Sequence, residues 1–239
     1  MKIALLGYGK MGKAIEALAL QRNHTIVLKS SGKETEEEIN EGLSQADVAI
    51  EFTGAESAFQ NILRCFSLNI PVVSGSTGWL EDYEKAVSIC KETDGAFLYS
   101  SNFSIGVNIF FQINKMLAKL LEGKDYQPEI KEIHHTQKKD APSGTAISLA
   151  EQIINNNSGF QSWSFNAQKP QQINMISERT GEIPGTHSVH YRSLIDDIEI
   201  IHTAHNRQGF VLGALIAAEF LKGKKGVFTM EMVLNNSGS

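Results

Sequence analysis

The sequence predicts an α/β protein: a Rossmann-like doubly wound parallel sheet plus a second α+β domain with a mixed or antiparallel sheet. Three observations predict this class. A glycine turn joins the first strand to the first helix, strands and helices then alternate, and strands with alternate polar residues cluster in the second half. We expect the first domain to comprise residues 1–104 and 208–239, and the second to comprise residues 105–207.

The first strand, residues 2–6, runs directly into a turn of the form G-x-G-x-x-G. Gly7 would make the tight turn, Gly9 would let the backbone approach a pyrophosphate, and Gly12 would let the following helix pack on the strand. Because the motif follows a strand and opens a helix near residues 14–19, it predicts a nicotinamide dinucleotide site. A purely structural glycine turn is the alternative.

The second strand, residues 24–28, should end near the adenosine ribose, where an acidic residue usually accepts the 2'-hydroxyl of NAD. Here Lys29, Ser30 and Ser31 follow, with no carboxylate at the tip. A lysine and two hydroxyl groups suit a 2'-phosphate better, so we expect NADPH to be slightly favoured over NADH. A lysine tolerates either cofactor, and a solvated strand end is the alternative. The acidic run at residues 34–38 fits an exposed helix face or a loop.

Two further strands, residues 46–52 and 70–73, flank a helix at residues 58–66, and another strand follows at residues 96–100. This alternation predicts a parallel sheet with right-handed crossovers, whose ligands bind at the carboxyl ends of the strands. The small polar residues at those ends are candidates for the nicotinamide half: Thr53, Gly54, Gly75 and Thr77. Ordinary turn chemistry explains each of them equally well. An apolar helix at residues 109–121 should then lead into the second domain.

The second half contains strand-like runs at residues 130–135, 172–178, 187–191 and 198–205, and a weaker run at residues 179–183. Strands clustered after one helix indicate an antiparallel or mixed sheet, and the open edge of such a sheet suits association into a homo-oligomer. The chain should return with a helix through residues 214–221 and a final strand at residues 227–232. We expect this tail to pack on the first domain.

A short loop combines a helix entrance with proton donors. Pro142 disfavours helix before it and Ser143 is a good N-cap, so Gly144 and Thr145 would offer first-turn N–H groups to an anion.

The two histidines of this loop, His134 and His135, titrate near neutrality in their ordinary state, which suits a general acid, and Lys138 adds a positive charge. The pattern indicates a site for an anionic substrate that must be protonated. A solvated polar loop that caps an ordinary amphipathic helix is an equally good interpretation.

The composition favours a protein that acts on a small molecule. The chain of 239 residues has a net charge of -5 and a pI near 5.8, which argues against nonspecific nucleic-acid binding. No stretch has membrane-spanning length and no signal peptide is evident. Cys65 and Cys90 fit buried free thiols in a reducing compartment. We therefore expect a cytoplasmic protein.

Four other histidines, His187, His190, His202 and His205, fall on predicted strand faces or ends without a carboxylate or cysteine that completes a ligand set. We therefore expect no metal site. Arg207 could pair with a substrate carboxylate through its planar fork, although a surface arginine is a slightly better explanation.

Together these motifs resemble the 4-hydroxy-tetrahydrodipicolinate reductase family, also called dihydrodipicolinate reductase, of bacterial lysine and diaminopimelate synthesis. The resemblance covers nearly the whole chain, in residues 7–12, 52–53, 75–78, 101–108, 134–145 and 179–187. The run from His134 to Thr145 is its most specific part.

The resemblance implies hydride transfer to a cyclic conjugated imine, protonation of the resulting enamine, and a tetramer joined through the second-domain sheets. It implies that His134 donates the proton with help from Lys138. The substrate carboxylates would bind to His135, Lys138, Gly144 and Thr145. With the turn and strand ends above, the predicted cofactor contacts are Gly7, Gly9, Lys10, Met11, Gly12, Lys29, Thr53, Gly75, Thr77, Ser101 and Phe103. The alternatives are a reductase of another small amino or keto diacid, and a nonenzymatic dinucleotide-sensing protein.

Overall fold

The structure is a computed structural model that describes residues 1–236, so the last three residues of the predicted first domain lie outside it. The chain divides into two compact units. One contains Met1–Ile105 and the described part of the chain from Gln208 onward, and the other contains Gly106–Arg207. Each unit has one sheet. Within residues 1–236, no helix is both long and apolar enough to cross a membrane.

Residues 1–236 contain eleven strands: β1 (Lys2–Leu6), β2 (Thr25–Ser30), β3 (Val48–Glu51), β4 (Val72–Ser74), β5 (Ala96–Tyr99), β6 (Gln127–His134), β7 (Ser162–Ser164), β8 (Gln172–Arg179), β9 (Gly185–Arg192), β10 (Asp197–Ala204) and β11 (Gly226–Phe228). The eight α-helices in the described residues are α1 (Lys10–Gln21), α2 (Glu36–Ser44), α3 (Ala55–Ser67), α4 (Tyr83–Glu92), α5 (Ile105–Leu120), α6 (Gly144–Asn156), α7 (Gln208–Leu221) and α8 (Met230–Asn236).

The first unit contains the predicted Rossmann-like parallel sheet, with strand order β11-β5-β4-β3-β1-β2. Successive residues of β1 point to opposite faces of the sheet, as the strand geometry requires. Ile3 and Leu5 pack with α1 and α7 on one face, and Ala4 and Leu6 pack with α2, α3 and α4 on the other. The sheet is therefore buried on both faces, which leaves its strand ends as the place for a ligand.

The second unit contains the predicted mixed sheet, in the order β10-β9-β6-β8-β7. Strand β6 runs parallel to β8 and antiparallel to β9. One face carries buried apolar residues, among them Ile130, Met175 and Val189, which pack against α5 and α6. The registers of β6 with its two neighbours determine which polar side chains meet at the end of β6.

Two predicted strands are wrong in part. The final strand ends at Phe228, and α8 begins at Met230, because Thr229 caps a helix there: its hydroxyl and carbonyl accept from the N–H groups of Met232 and Val233. The weaker run after Arg179 is a turn rather than a strand, since Gly181 adopts a positive φ of 54°. The acidic run at residues 34–38 contains the capping box that starts α2.

Candidate active site

The glycine turn of the first unit has the geometry that its sequence predicts. Gly7 has a φ of +97°, and a Cβ there would lie 2.1 Å from the carbonyl oxygen of Phe52. A Cβ on Gly12 would lie 2.4 Å from the Gly7 carbonyl oxygen, whereas nothing lies within 4 Å of a Cβ built on Gly9. The first and third glycines are thus needed for packing, and the second faces open space at the start of α1. These residues fit a bound pyrophosphate. Lys10 and Met11 form the first turn of α1.

The strand ends beside this turn carry the other predicted cofactor residues. Thr53 and Thr77 are exposed, and a Cβ on Gly75 would overlap the Phe52 ring at 2.1 Å. Phe103 is buried, with its ring centroid 5.7 Å from that of Phe52, while Ser101 is exposed. The absence of a side chain at Gly75 therefore lets Phe52 fill the space beneath this edge.

The adenosine side differs from the sequence-based expectation. The Lys29 ammonium pairs with Glu16 at 2.5 Å, and the Tyr8 hydroxyl also donates to Glu16. The Glu34 carboxylate lies against the loop that follows β2. It accepts hydrogen bonds from the N–H groups of Ser31, Gly32 and Lys33 and from the Ser31 hydroxyl. Backbone hydrogen bonds lower the pKa of Glu34 to about 2. The expectation that no carboxylate lies at this tip is wrong, because the loop folds back on itself.

The second unit gathers a buried polar cluster at the end of β6. Glu132 is fully buried, and its Oε1 accepts from Arg179 Nη2 at 2.9 Å and from the Ser177 hydroxyl at 2.8 Å. Its Oε2 lies 3.4 Å from His134 Nδ1 and 3.7 Å from His187 Nε2. Both imidazoles are also buried, and their ring centroids are 5.0 Å apart. We call Glu132, His134, Arg179 and His187 the β6 cluster.

The charges in the β6 cluster follow from this arrangement. Burial raises the pKa of the Glu132 carboxyl, but the hydrogen bonds to it outweigh burial and hold that pKa well below its usual range. Burial also lowers the pKa of His134 to about 4, with His187 adding to the effect and Glu132 opposing it. The expectation that His134 titrates near neutrality is therefore wrong for the substrate-free protein. His134 is a neutral imidazole at pH 7.

The helix entrance lies against the β6 cluster. The Ser143 hydroxyl accepts from the Ala146 N–H at 3.2 Å, as an N-cap should, and it lies 3.1 Å from His187 Nε2. The Ser143 N–H donates to both oxygens of Glu132 at 3.1 Å. Gly144 is exposed, with nothing within 4 Å of a Cβ built on it. A carboxylate can therefore approach the first turn of α6 closely at Gly144, next to Thr145.

The remaining predicted residues of this site are less enclosed. Lys138 Nζ pairs with Asp140 at 2.7 Å, and the Arg179 guanidinium donates to the Asp140 carbonyl at 2.5 Å and the Lys138 carbonyl at 3.3 Å. Arg179 thus fixes the loop that carries Lys138. His135 is half-buried, and Arg207 is exposed beyond the end of β10.

Sequence reasoning assigned no role to Glu132, Arg179 or His187. The interpretation that no carboxylate lies near the later histidines is wrong, since Glu132 lies beside His187. Glu132, His134 and His187 could each offer one metal-ligand atom, all within 4.8 Å of one another. The Arg179 guanidinium, however, already balances the Glu132 charge, which opposes a second cation there. The one local signal was that Glu132 and His134 are two apart on a strand and share a face.

Comparison with known proteins identifies the family. The family model described as dihydrodipicolinate reductase, N-terminus, matches residues 1–103, and the model for the C-terminus of the same protein matches residues 106–234. A 4-hydroxy-tetrahydrodipicolinate reductase from Christiangramia forsetii is 52% identical over 237 residues, which cover 99% of this chain and 98% of that protein.

Solved structures agree with the fold. A dipicolinate-bound dihydrodipicolinate reductase from Paenisporosarcina sp. TG-14 superposes with a TM-score of 0.78 at 20% identity, covering 96% of this chain and 97% of the other. A probable dehydrogenase from Thermotoga maritima superposes with a TM-score of 0.61 at 11% identity, covering 98% and 93%. The chain therefore belongs to the dihydrodipicolinate reductase family of NAD(P)H-dependent oxidoreductases.

Proposed function

We propose that this protein reduces 4-hydroxy-tetrahydrodipicolinate to tetrahydrodipicolinate in lysine and diaminopimelate biosynthesis, with His134 as the proton donor. The observation that carries the proposed role is the buried His134 imidazole, held between Glu132 and His187 beside the entrance of α6. Family membership supports the substrate, and the site chemistry supports the roles of the residues.

The second unit would bind the two substrate carboxylates. One would dock on the first turn of α6 at Gly144 and Thr145, where the helix dipole and close backbone approach favour an anion. Lys138 and His135 would contact the other, and Lys138 would exchange its Asp140 partner for the substrate. The contacts of Arg179 with the carbonyls of this loop keep Lys138 in place during that exchange.

The substrate would also charge the proton donor. A dianion beside His134 favours the imidazolium form, so the pKa of His134 rises from about 4 on binding. Glu132 at 3.4 Å from Nδ1 stabilises the imidazolium, and Gly185 leaves room at Nε2, since a Cβ there would lie 3.0 Å from that nitrogen. Nε2 is thus the nitrogen from which we expect the proton to leave.

The reaction balances with one proton from His134. The glycine turn and strand ends of the first unit would hold a reduced nicotinamide dinucleotide, which would supply the hydride. Loss of water from the hydroxylated ring gives a conjugated imine, the hydride adds to carbon, and the resulting enamine takes the proton from His134. His134 is left neutral and takes up a new proton from solvent, while the hydrogen bonds to Glu132 hold the pKa of its carboxyl well below its usual range.

For cofactor choice we propose that both NADPH and NADH are used, with NADPH preferred. Lys29 and the serine hydroxyls favour a 2'-phosphate, whereas the pairing of Lys29 with Glu16 and the carboxylate of Glu34 reduce that advantage. We therefore expect a ratio of kcat/KM values below about tenfold. A preference for NADPH above about tenfold, or equal or better efficiency with NADH, would contradict this balance of charges.

We also propose a homotetramer joined through the sheets of the second unit. Strand β10 is an edge strand that exposes alternate side chains, among them Ile201 at 58% exposure. The turn before it exposes Leu194 and Ile195 almost fully. Light scattering coupled to size-exclusion chromatography tests this assembly. A monomer at micromolar concentration would contradict it.

Cytoplasmic location remains part of the proposal. Cys65 and Cys90 are free and buried, and burial raises the pKa of Cys90 to about 11, so these thiols behave as apolar core groups. A fluorescent fusion found outside the cytoplasm of the source cell would contradict this location.

The first experiment is oxidation of NADPH and NADH with substrate generated freshly by a coupled synthase reaction. We expect turnover by the wild type and a loss of kcat of about 10²- to 10⁴-fold in His134→Ala, with dinucleotide affinity retained. His190→Ala is the matched control, because His190 lies on β9 and pairs with Asp197 outside the β6 cluster. Unchanged kcat in His134→Ala would refute its role. Dinucleotide binding without any turnover would favour another reductase or a sensor.

A further inference from the structure

We propose that the buried carboxylate of Glu51 makes the first unit favour the oxidised, positively charged dinucleotide over the reduced form, and so assists hydride donation. The inference rests on the proposed function in one respect. It takes the nicotinamide half to lie at the edge formed by Thr53, Gly75 and Thr77.

Glu51 is the last residue of β3 and is fully buried. Four donors surround its carboxylate. Oε1 accepts from the Thr53 N–H at 2.8 Å, the Thr53 hydroxyl at 2.5 Å and the Ser76 hydroxyl at 2.7 Å, and Oε2 accepts from the Ser74 hydroxyl at 2.5 Å. An ionised carboxylate is acceptor-only, and four donors match that requirement.

The donors around Glu51 are all neutral. In the part of the chain that the structure describes, no lysine, arginine or histidine lies within ion-pair distance of this carboxylate. Buried charges are normally paired, because desolvation penalises an isolated ion. Hydrogen bonds from hydroxyls and an amide satisfy the oxygen atoms but leave the net charge of the site uncompensated. Such a site is suited to a cationic ligand.

The position of the charge identifies which part of a ligand it would meet. The donors to Glu51 are the residues that shape the edge: Thr53 follows β3, Ser74 is the last residue of β4, and Ser76 follows Gly75 after β4. Ligands of a parallel sheet bind at this carboxyl edge. When a reduced nicotinamide gives its hydride to the ring carbon of the substrate, its own ring passes from neutral to singly positive. A fixed negative charge in a low-dielectric region favours that product of the transfer.

The test is a comparison of dissociation constants without turnover. Kd values of NADP⁺ and NADPH are measured by titration calorimetry for the wild type and for Glu51→Gln. We expect the ratio of the NADP⁺ Kd to the NADPH Kd to rise on the order of tenfold in the variant, since one unit charge is lost near the ring. Glu37→Gln, on the exposed face of α2, makes the same change in net charge and should leave the ratio unchanged. Equal weakening of both forms by Glu51→Gln would overturn the proposal, because a purely structural role predicts that result.

A second variant keeps the charge and so guards against misfolding of the first. Glu51→Asp keeps the negative charge and shortens the side chain, so the same ratio should stay near the wild-type value, and a rise equal to that in Glu51→Gln would overturn the proposal. If the wild type bound neither form, the proposed function itself would fail. Wild-type binding with equal weakening in Glu51→Gln would remove only the role of Glu51.

Discussion

The β6 cluster predicts that Glu132 is needed for stability, although no step of the proposed reaction consumes this residue. Glu132→Gln keeps the shape of the side chain and removes its charge. The carboxylate holds Arg179 through Oε1 and the Ser143 N–H through both oxygens. An amide oxygen in the Oε1 position can still accept from both groups, but the amide nitrogen cannot replace Oε2 as an acceptor for the Ser143 N–H, and Arg179 loses its negatively charged partner.

The magnitude follows from burial. Removing one partner of a buried ion pair costs roughly 3–5 kcal/mol, because the other charge is left unpaired. Here the Glu132 side chain is 0% exposed, but that of Arg179 is 19% exposed and keeps carbonyl acceptors on Lys138, Glu178 and Asp140. The retained acceptors reduce the cost, and we expect a loss of about 2–3 kcal/mol in the free energy of unfolding.

The assay is urea denaturation followed by tryptophan fluorescence. Trp79 lies in the first unit and Trp163 in the second, so a Trp79→Phe background reports on the unit that contains Glu132. The matched control is Glu178→Gln. Its carboxylate pairs with Lys131 at 2.8 Å, but both side chains are 40% exposed or more, so the change should cost less than about 0.5 kcal/mol. Equal losses in the two variants would refute the argument that burial makes the Glu132 pair important.

Three further predictions use the same site. Lys138→Ala should lower kcat/KM about a hundredfold, because the charge-assisted contact of Lys138 with the substrate is lost. The control is Lys139→Ala, since Lys139 is the next residue and is exposed, and it should leave kcat/KM unchanged. Equal effects of the two variants in a steady-state assay would remove the role of Lys138. Because burial lowers the pKa of His134 from 6.5 to about 4, the unfolded chain binds more protons in this window, so stability falls as pH drops from 6.5 to 4. Urea denaturation at both ends of the window should show a loss of about 3 kcal/mol that His134→Gln lacks, and parallel pH slopes would contradict it. Gly185→Ala places a methyl group 3.0 Å from His134 Nε2. We therefore expect kcat to fall about tenfold while the Kd for dinucleotide stays constant. An unchanged kcat would show that the imidazole does not need this space.

Sequence reasoning succeeded where the determining pattern is local. The glycine turn could be predicted because strand, turn and helix follow one another within residues 2–21. The β6 cluster could not be assembled in that way. Glu132 lies opposite His187 in the register of β6 with β9, and His134 lies opposite Arg179 in the register of β6 with β8. Those registers depend on which faces of distant strands are buried, information that a short window of sequence does not contain.

The pKa of His134 was missed for a related reason, since it depends on burial and on a second imidazole that is far away in the sequence. The carboxylate of Glu34 was missed although it is local. Its loop folds back so that three consecutive N–H groups surround it, and the spacing of acidic residues alone does not reveal such a turn.

The two buried glutamates differ in whether a cation lies beside the carboxylate. Glu51 and Glu132 are both fully buried, and each accepts several hydrogen bonds. Glu132 has Arg179 at 2.9 Å, so the β6 cluster can admit an anionic substrate without repelling it. Glu51 has only neutral donors, so its region retains a negative charge that suits a positive ring. Under the two proposals above, the cation beside Glu132 would adapt the second unit to a dianion, and the lack of one among the described residues near Glu51 would adapt the first unit to an oxidised nicotinamide.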